Sequence, residues 1–548
     1  MTAHPRQPEE FLHGSGMVGT SEEGFKVIRK AFHRTFIVVM AMLLVAPVSQ
    51  AAGAPPSTPS SARIAPTQTV SAEDAHRRVP KGNAQATGHN AVAYNRPTIS
   101  PSDYARLKAQ AAASSEVPSI KSGPLRKAPP TWTYVNAAGV DQVTACGTCR
   151  PPDTDGAVGF AHFVEVTNFH YDVYTKAAPP VNVKSVSLAS FFGYTTQPLF
   201  DPQVKYDVFW NRWIVTAEAF AESPTIQRYF VAISTSGNPT GSFYIYNFNV
   251  NFTGTDFYDY PHVGYDQDAV IFTANVFDSN TNAFKYAETY GVAKAALYRG
   301  ASFSVPVFTN LVGTLAAPIV QDNSGKAYLM AAPPSGTTFS IYEATGFGRT
   351  TAALAGPFAV TVPAYTVPPN APQPGVTSKL DTSDSRFINQ SSQIGDSLFQ
   401  VHTIALGSFA APRWYEINAA TRTVIQSGTF FATGSSFDFN ASIAANPSKD
   451  VYVNWSMTDT AVNPQVRFSG RTAADPAGVI PGGVALFTSP AALHTSDEPE
   501  RWGDYSAVTL DPTYYGSCPG QQKIAWLVNE NVLTSTTWGT RIGRIGFC

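Results

Sequence analysis

The chain has 548 residues, with 37 basic against 39 acidic side chains and no long run of either sign; this balance excludes the electrostatic footprint of a nucleic-acid binder and an acidic interaction tail. Hydrophobic residues make up 43% of the chain and charged residues only 14%, with 35 Phe, 24 Tyr and 40 Gly. Such a composition fills a large core and suits short strands and many turns better than exposed helices.

Residues 1–52 read as a signal peptide with a long n-region. Lys26, Arg29, Lys30, His33 and Arg34 flank the apolar run Phe36–Val48, and Ser49-Gln50-Ala51 supplies small residues at cleavage spacing. About 13 apolar residues are too few for a bilayer core that needs roughly 20. No stable transmembrane span is therefore expected in the mature protein, which is secreted or kept in the periplasm or cell envelope. Residues 53–130 are rich in Ala, Pro, Ser and Thr and read as a disordered linker or pro-region, because they hold too little apolar surface to offset ordering. One short helix is expected around Ser102–Ala113, after a capping Ser-Asp, with no bearing on function.

Residues 131–548 form the globular body. DPQVKYDVFWNRWIVTAE from Asp201 reads as strand, tight turn, strand. The same grammar recurs at Pro261, Asn440 and Asp504. With Val204, Val263, Ile443 and Val508 taken as equivalent, the steps are about 59, about 180 and about 65 residues, a period of roughly 60 with two copies skipped. The skipped copies fall near Gln321 and Arg386. A four-stranded blade fits that period, so the fold class is all-β and the architecture a β-propeller. Counting a hairpin at Val158 gives about seven blades, or about six if that hairpin completes the last blade. The Pro-rich stretch Ala352–Asp381 lacks alternation and reads as a long loop.

The four cysteines, Cys146, Cys149, Cys518 and Cys548, sit at the two ends of the body, and in an exported chain they are expected as disulfides. Two connectivities are open: bridges that join the first and last blades, or local Cys146–Cys149 and Cys518–Cys548 pairs.

Several segments together resemble a family of secreted bacterial β-propeller proteins, sialidase-like in architecture and mostly without an assigned activity: VGFAHFVEVTNFHYDVYTK, DPQVKYDVFWNRW, KLDTSDSRFINQ, APRWYEI, RWGDYSAVTLDP and TWGTRIGRIGF. They occur in order across the body. The resemblance implies the fold and export, but carries over no catalytic residues. The Phe-Arg-Ile-Pro signature of sialidases is absent, and DNSGKAY at Asp322 is only a degenerate relic of their repeated box.

Propellers place functional groups where inner strands meet the channel mouth, which selects Asp259, Tyr260, His262 and Asn275; Arg386, Asn389 and Gln393; and Arg501, Asp504, Tyr505, Asn529 and Glu530. In a catalytic reading Tyr505 attacks, Glu530 activates it, Arg386 and Arg501 clamp a substrate acid, and Asp504 or Asp259 donates the proton. Asn389, Tyr260 and Asn275 complete the ligand-binding set. In the structural alternative the same residues cap turns and fill blade interfaces. No cofactor is expected. A structural calcium at Asp153-Thr154-Asp155, Asp266-Gln267-Asp268 or Asp381 to Asp384 stays open, because such turns look alike with and without an ion. The preferred function is an extracellular scaffold that binds a glycan or a protein. The alternative is a sialidase-like glycoside hydrolase acting on an anionic sugar; oligomeric state is not legible.

Overall fold

The hairpin from Leu199 to Ala219 sets the pattern for the rest of the body. Leu199–Asp207 is buried along its whole length and Arg212–Ala219 along all but its first residue, as expected for strands covered on both faces. Between them Asp207 accepts the Trp210 N–H at 3.2 Å and Asn211 takes a φ of 52°, an Asx turn followed by a left-handed residue. In this computed structural model of the protein, residues 60–64, 68–70, 96–115, 132–251, 254–513 and 522–547 are described. They belong to one unit spanning Gly53–Cys548. The expected signal peptide lies outside the described residues.

Antiparallel meanders follow one another, each strand pairing with the next in sequence except Pro318–Val320, which lies parallel between two innermost strands. Asp155–Val158, His162–Thr167, His170–Thr175 and Asn182–Ser187 form the first. Leu199–Asp207 and Arg212–Ala219 continue into Arg228–Ser234 and Phe243–Asn249. Asp256–Tyr265 leads into Ala269–Asp278, Phe284–Ala293 and Phe303–Leu311. The short strand Pro318–Val320 precedes Lys326–Ala331, Gly336–Thr345 and Ala353–Tyr365. Next come Ser391–Ile394, Ser397–Leu406, Phe409–Asn418 and Thr423–Thr429, then Phe437–Ala445, Val451–Thr458, Gln465–Arg471 and Val484–Thr488. Ala507–Leu510, Ile524–Thr534 and Thr537–Gly546 end the chain, and Trp132–Asp141 from its start pairs with Thr537–Gly546 to finish that sheet.

Val204, Val263, Ile443 and Val508 all fall on the innermost strand of their meander, so the repeat read from sequence is the repeat of the fold. Innermost strands also touch one another. Ile319 lies parallel to Tyr265 on one side and to Ser392 on the other. A Cβ on Gly264 would lie 2.2 Å from the Pro318 carbonyl oxygen, so glycine is what permits this approach.

Apolar clusters fill the space between successive sheets, for example Val164, Val173, Val204 and Val215, or Val270, Phe272, Tyr229 and Val231. The series returns to its start: Val158 and Phe163 of the first meander pack with Trp526 and Val528 of the last, Phe163 stacking on Trp526 at 5.3 Å. A closed circuit of radially packed meanders is a β-propeller.

Two alternatives left open by the sequence are narrowed, and one expectation is corrected. The ring is not closed by a disulfide: Cys146 and Cys149 are bonded to each other, Cα atoms 5.8 Å apart, because the left-handed Gly147, just after the helical turn Gln142–Ala145, folds the chain back between them. Closure comes instead from backbone pairing of Trp132–Asp141; Cys518 and Cys548 lie outside the described residues. The Val158 hairpin builds its own meander and does not complete the last sheet. The stretch from Ala352 is partly strand: Ala353–Tyr365 is a mostly exposed outer edge, where Pro357 and Pro363 are tolerated because one side needs no ladder bonds.

The segment read as a linker also gains structure. Ser60–Ile64 and Gln68–Val70 pair with the outer strands Phe303–Val307 and Phe243–Ile245, satisfying edges that otherwise face solvent. The expected helix forms as Pro101–Ala112, its Ser100 side chain accepting the Asp103 N–H at 3.1 Å. Among the described residues no helix is long and apolar enough to cross a membrane.

Candidate functional site

Near the start of several inner strands the backbone makes the same local excursion. Asp201, Tyr260 and Asn440 have φ of 46°, 60° and 49°, each where the register of its strand shifts, and Asp153 has 45° ahead of its strand. A left-handed residue at a bulge re-aims its side chain out of the ladder; Asp and Asn tolerate that conformation, whereas Tyr is a genuine outlier. Asn389 and Tyr505 stand at the corresponding offset on strands without the excursion.

The candidate residues converge here, buried and bonded to one another. The Tyr505 hydroxyl donates to Asp201 Oδ2 at 2.8 Å, with its ring 5.3 Å from that of Tyr260. Tyr260 reaches the Asp504 carbonyl at 3.4 Å, and the Asp504 N–H donates to Asp153 Oδ1 at 2.7 Å. Glu530 accepts the Gly503 N–H at 2.6 Å. Tyr505 and Glu530, paired in the catalytic reading as nucleophile and base, thus engage different partners. Both are 1% exposed.

Both arginines carry their own counter-ions. Arg386 forks onto Asp384, with Nε and Nη2 each 2.8 Å from a carboxylate oxygen, and stacks over Tyr260. Arg501 donates to Asp504 Oδ2 at 2.8 Å and Asp381 Oδ2 at 3.2 Å. Burial opposes both charges, but the facing carboxylates outweigh it and raise both guanidinium pKa values. Asn389 Nδ2 donates to the Ala441 carbonyl at 3.2 Å, and Asn275 Nδ2 to Thr314 at 2.7 Å beside Asp259 on the paired strand. His262, its ring nitrogens without hydrogen bonds, is pushed down to about 3 by burial and stays neutral.

Of the three carboxyls at the centre, sequence reasoning named Asp259 and missed Asp201 and Glu218. Asp201, Glu218 and Asp259 bring one oxygen each within 4.8 Å of the others. Glu218 is fully buried, and the Asp259 carboxyl is its hydrogen-bonding neighbour. Burial, then the charges of Asp259 and Asp201, push its carboxyl well above the usual range. Burial and the neighbouring Asp153 charge do the same to Asp201, and Asp153 is pushed up to about 7 by burial and Asp504. Asp201 was findable, since it holds the same offset from Val204 as Tyr260 from Val263 and Tyr505 from Val508. Glu218, in the alternating run RWIVTAEA, looks like a solvent-facing residue.

The counter-charge to this triad comes from the N-terminal segment. Arg96 Nη1 donates to Asp259 Oδ2 at 2.6 Å, its guanidinium lies 4.4 Å over the Phe257 ring, and Arg386 Nη2 donates to the Arg96 carbonyl at 3.0 Å. One helical stretch later, Lys108 donates to Thr382 at 2.8 Å and lies 3.6 Å from Asp381. Burial lowers the Lys108 ammonium to about 8.

The turns considered for calcium are occupied by protein groups. Asp155 pairs with Lys205, Asp268 with Arg349, Asp381 with Arg501, and Asp384 with Arg386, while Asp266 accepts two N–H groups of its own turn. The grouped carboxyls that offer oxygens to one point are Asp201, Glu218 and Asp259.

At the other ends of the inner strands lies a cavity of about 50 Å³ lined by Val158, Val208, Ile319, Ile443, Val508 and Leu510, with Lys205 and Gln321 among its polar atoms.

No protein-family model matches the sequence, and no curated protein matches it. Among solved structures, the chain is similar to an α-L-arabinanase from Penicillium chrysogenum complexed with arabinobiose, at 8% identity and a TM-score of 0.36 over 76% of this chain and 99% of that one. It is similar also to the hemagglutinin-neuraminidase of parainfluenza virus 5, at 11% identity and a TM-score of 0.35 over 78% and 94%. A third is an exo-β-1,3-galactanase from Phanerochaete chrysosporium with galactose, at 10% identity and a TM-score of 0.29 over 76% and 99%.

Proposed function

We propose that the chain is an exported propeller, with seven blades, that binds an extracellular glycan or protein segment at the channel mouth formed by Asp259, Tyr260, Arg386 and Arg501. One observation carries this reading: the groups a hydrolase would turn toward substrate are committed to each other. Arg386 is held by Asp384, Arg501 by Asp381 and Asp504, Tyr505 by Asp201, and Glu530 by the Gly503 N–H. A buried network in which each cation keeps a carboxylate partner rigidifies a recognition surface. Export rests on the basic and apolar N-terminal run, and the Cys146–Cys149 bridge is in keeping with an oxidising compartment.

A second reading, a glycoside hydrolase acting on an anionic sugar, is favoured by one contact. A tyrosine hydroxyl on a buried carboxylate is the nucleophile arrangement that sialidases use, and here Asp201 stands where Glu530 was expected. A screen of the purified protein against aryl glycosides, sialosides and uronides included, run beside glycan and peptide arrays, separates the two. Saturable binding without turnover is the expected outcome. Turnover that Tyr505→Phe abolishes would replace the binding reading with the hydrolase.

A further inference from the structure

The channel mouth already holds a ligand, and that ligand is an arginine. Three independent features recognise it. Asp259 takes the guanidinium at 2.6 Å, Phe257 lies under its face at 4.4 Å, and Arg386, itself fixed by Asp384, donates to the same residue's carbonyl at 3.0 Å. Side chain and main chain are therefore read together, as in peptide recognition. Beneath the guanidinium the pocket continues to Asp201 and Glu218. The two Glu218 carboxyl oxygens are buried with no basic donor on them, only the Asp259 carboxyl beside them, which leaves hydrogen-bonding capacity that one Arg96 contact does not use.

The holder of this arginine is the chain itself. Arg96 lies far from the mouth residues in sequence, on a segment anchored a second time by Lys108 on Thr382 and Asp381. Lys108 is 9% exposed, and Asp384, Arg386, Tyr505 and Asp201 beneath the segment are each no more than 2% exposed. Residues 96–112 touch Asp259, Arg386, Asp381 and Thr382 directly and so form part of the cover over this end.

We propose that the pocket of Asp201, Glu218, Asp259 and Phe257 is an arginine-recognition site, that its preferred external ligand is a peptide bearing an arginine in an extended segment, and that residues 96–112 are an internal occupant that such a ligand must displace. This rests on the binding reading above and names the ligand class and the control of that same site. A tethered occupant acts at an effective concentration on the order of millimolar, so the intact chain binds an external arginine peptide weakly even when the open pocket binds it well.

The test uses the full chain. A fluorescent synthetic peptide spanning residues 94–115 is titrated, by anisotropy, into the wild type, Arg96→Ala with Lys108→Ala, and that double variant carrying Asp259→Asn; a peptide with Arg96→Ala is the control probe. The double variant is expected to bind the arginine peptide at least about tenfold more tightly than the wild type. Asp259→Asn and the control probe should each lose that gain. Thermal melts confirm that every variant is folded, and Asp259→Glu supplies a conservative second variant if Asp259→Asn is not. Equal binding by folded wild type and double variant would overturn the proposal. So would a gain that Asp259→Asn leaves intact, or a double variant that ignores the peptide but is stabilised by calcium ions, which would make the carboxyls a metal site. Glycan binding without peptide binding would defeat this inference and spare the scaffold reading; turnover would defeat that reading while leaving the displacement result to stand alone.

Discussion

The two ends of the channel are built from the same strands and differ in nearly every physical respect. At the starts of the inner strands carboxyls and guanidinium groups are packed out of water, joined in a network, and covered by Arg96 and the 101–112 helix. At their far ends lies a small cavity whose wall mixes aliphatic side chains with Lys205, Gln321, Gln390 and Ser392. Buried charge there is confined to separate pairs, such as Lys205 with Asp155 and Lys294 with Asp207. Concentrating buried charge at the other end is destabilising unless each ion keeps its partner, so that end is the one the proposed recognition role has to explain.

The comparison can be broken most severely at the polar end. Asp384→Ala leaves Arg386 charged, buried and unpaired, and is expected to cost ~3–5 kcal/mol in chemical denaturation; a loss under ~1 kcal/mol would mean water reaches the arginine freely. At the cavity end Val508→Ala removes two methyl groups from an inner strand and is expected to cost about 2 kcal/mol, with the same loss at every pH.

A third prediction separates the ends by pH. Asp153 has a folded-state pKa raised to about 7 by burial and Asp504. The folded protein then holds a proton that the unfolded chain releases near its ordinary value, so this contribution is complete at low pH and is lost as pH rises through about 7. Asp153→Asn should therefore flatten the decline in Tm between about pH 4 and pH 7 by a few degrees relative to wild type. An identical slope in both proteins would place solvent beside Asp153. The smallest effect belongs to a link outside both ends: Cys146→Ser with Cys149→Ser closes no long loop and should lower stability by no more than about 2 kcal/mol, because the ring is held by the pairing of Trp132–Asp141 with Thr537–Gly546.

How much of this was legible in the sequence follows from the range of the signals. Val204, Val263, Ile443 and Val508 report a local pattern of strand, turn and strand, and local patterns survive in sequence; the inner strands were found that way. The strand Trp132–Asp141 pairs with a partner at the far end of the chain, and no local pattern names that partner. The mouth was half legible. Tyr260, Arg386, Arg501, Asp504 and Tyr505 were singled out and do meet, but which carboxyl serves which cation is decided between blades: Asp201, not Glu530, holds Tyr505. Arg96 was hidden for a different reason. It sits in a run of Ala, Pro and Ser whose composition reads as linker, and composition cannot reveal a short segment anchored by a few charged contacts.

The most direct measurement is hydrogen–deuterium exchange on the full chain, wild type against Arg96→Ala. If Arg96 pins the segment over the mouth, exchange will quicken in residues 101–112, 258–263 and 501–506 and stay unchanged in residues 205–208 and 507–510 around the cavity. Unchanged protection over 101–112 and the mouth would contradict the account, since it would mean that the segment and the pocket are held without the arginine.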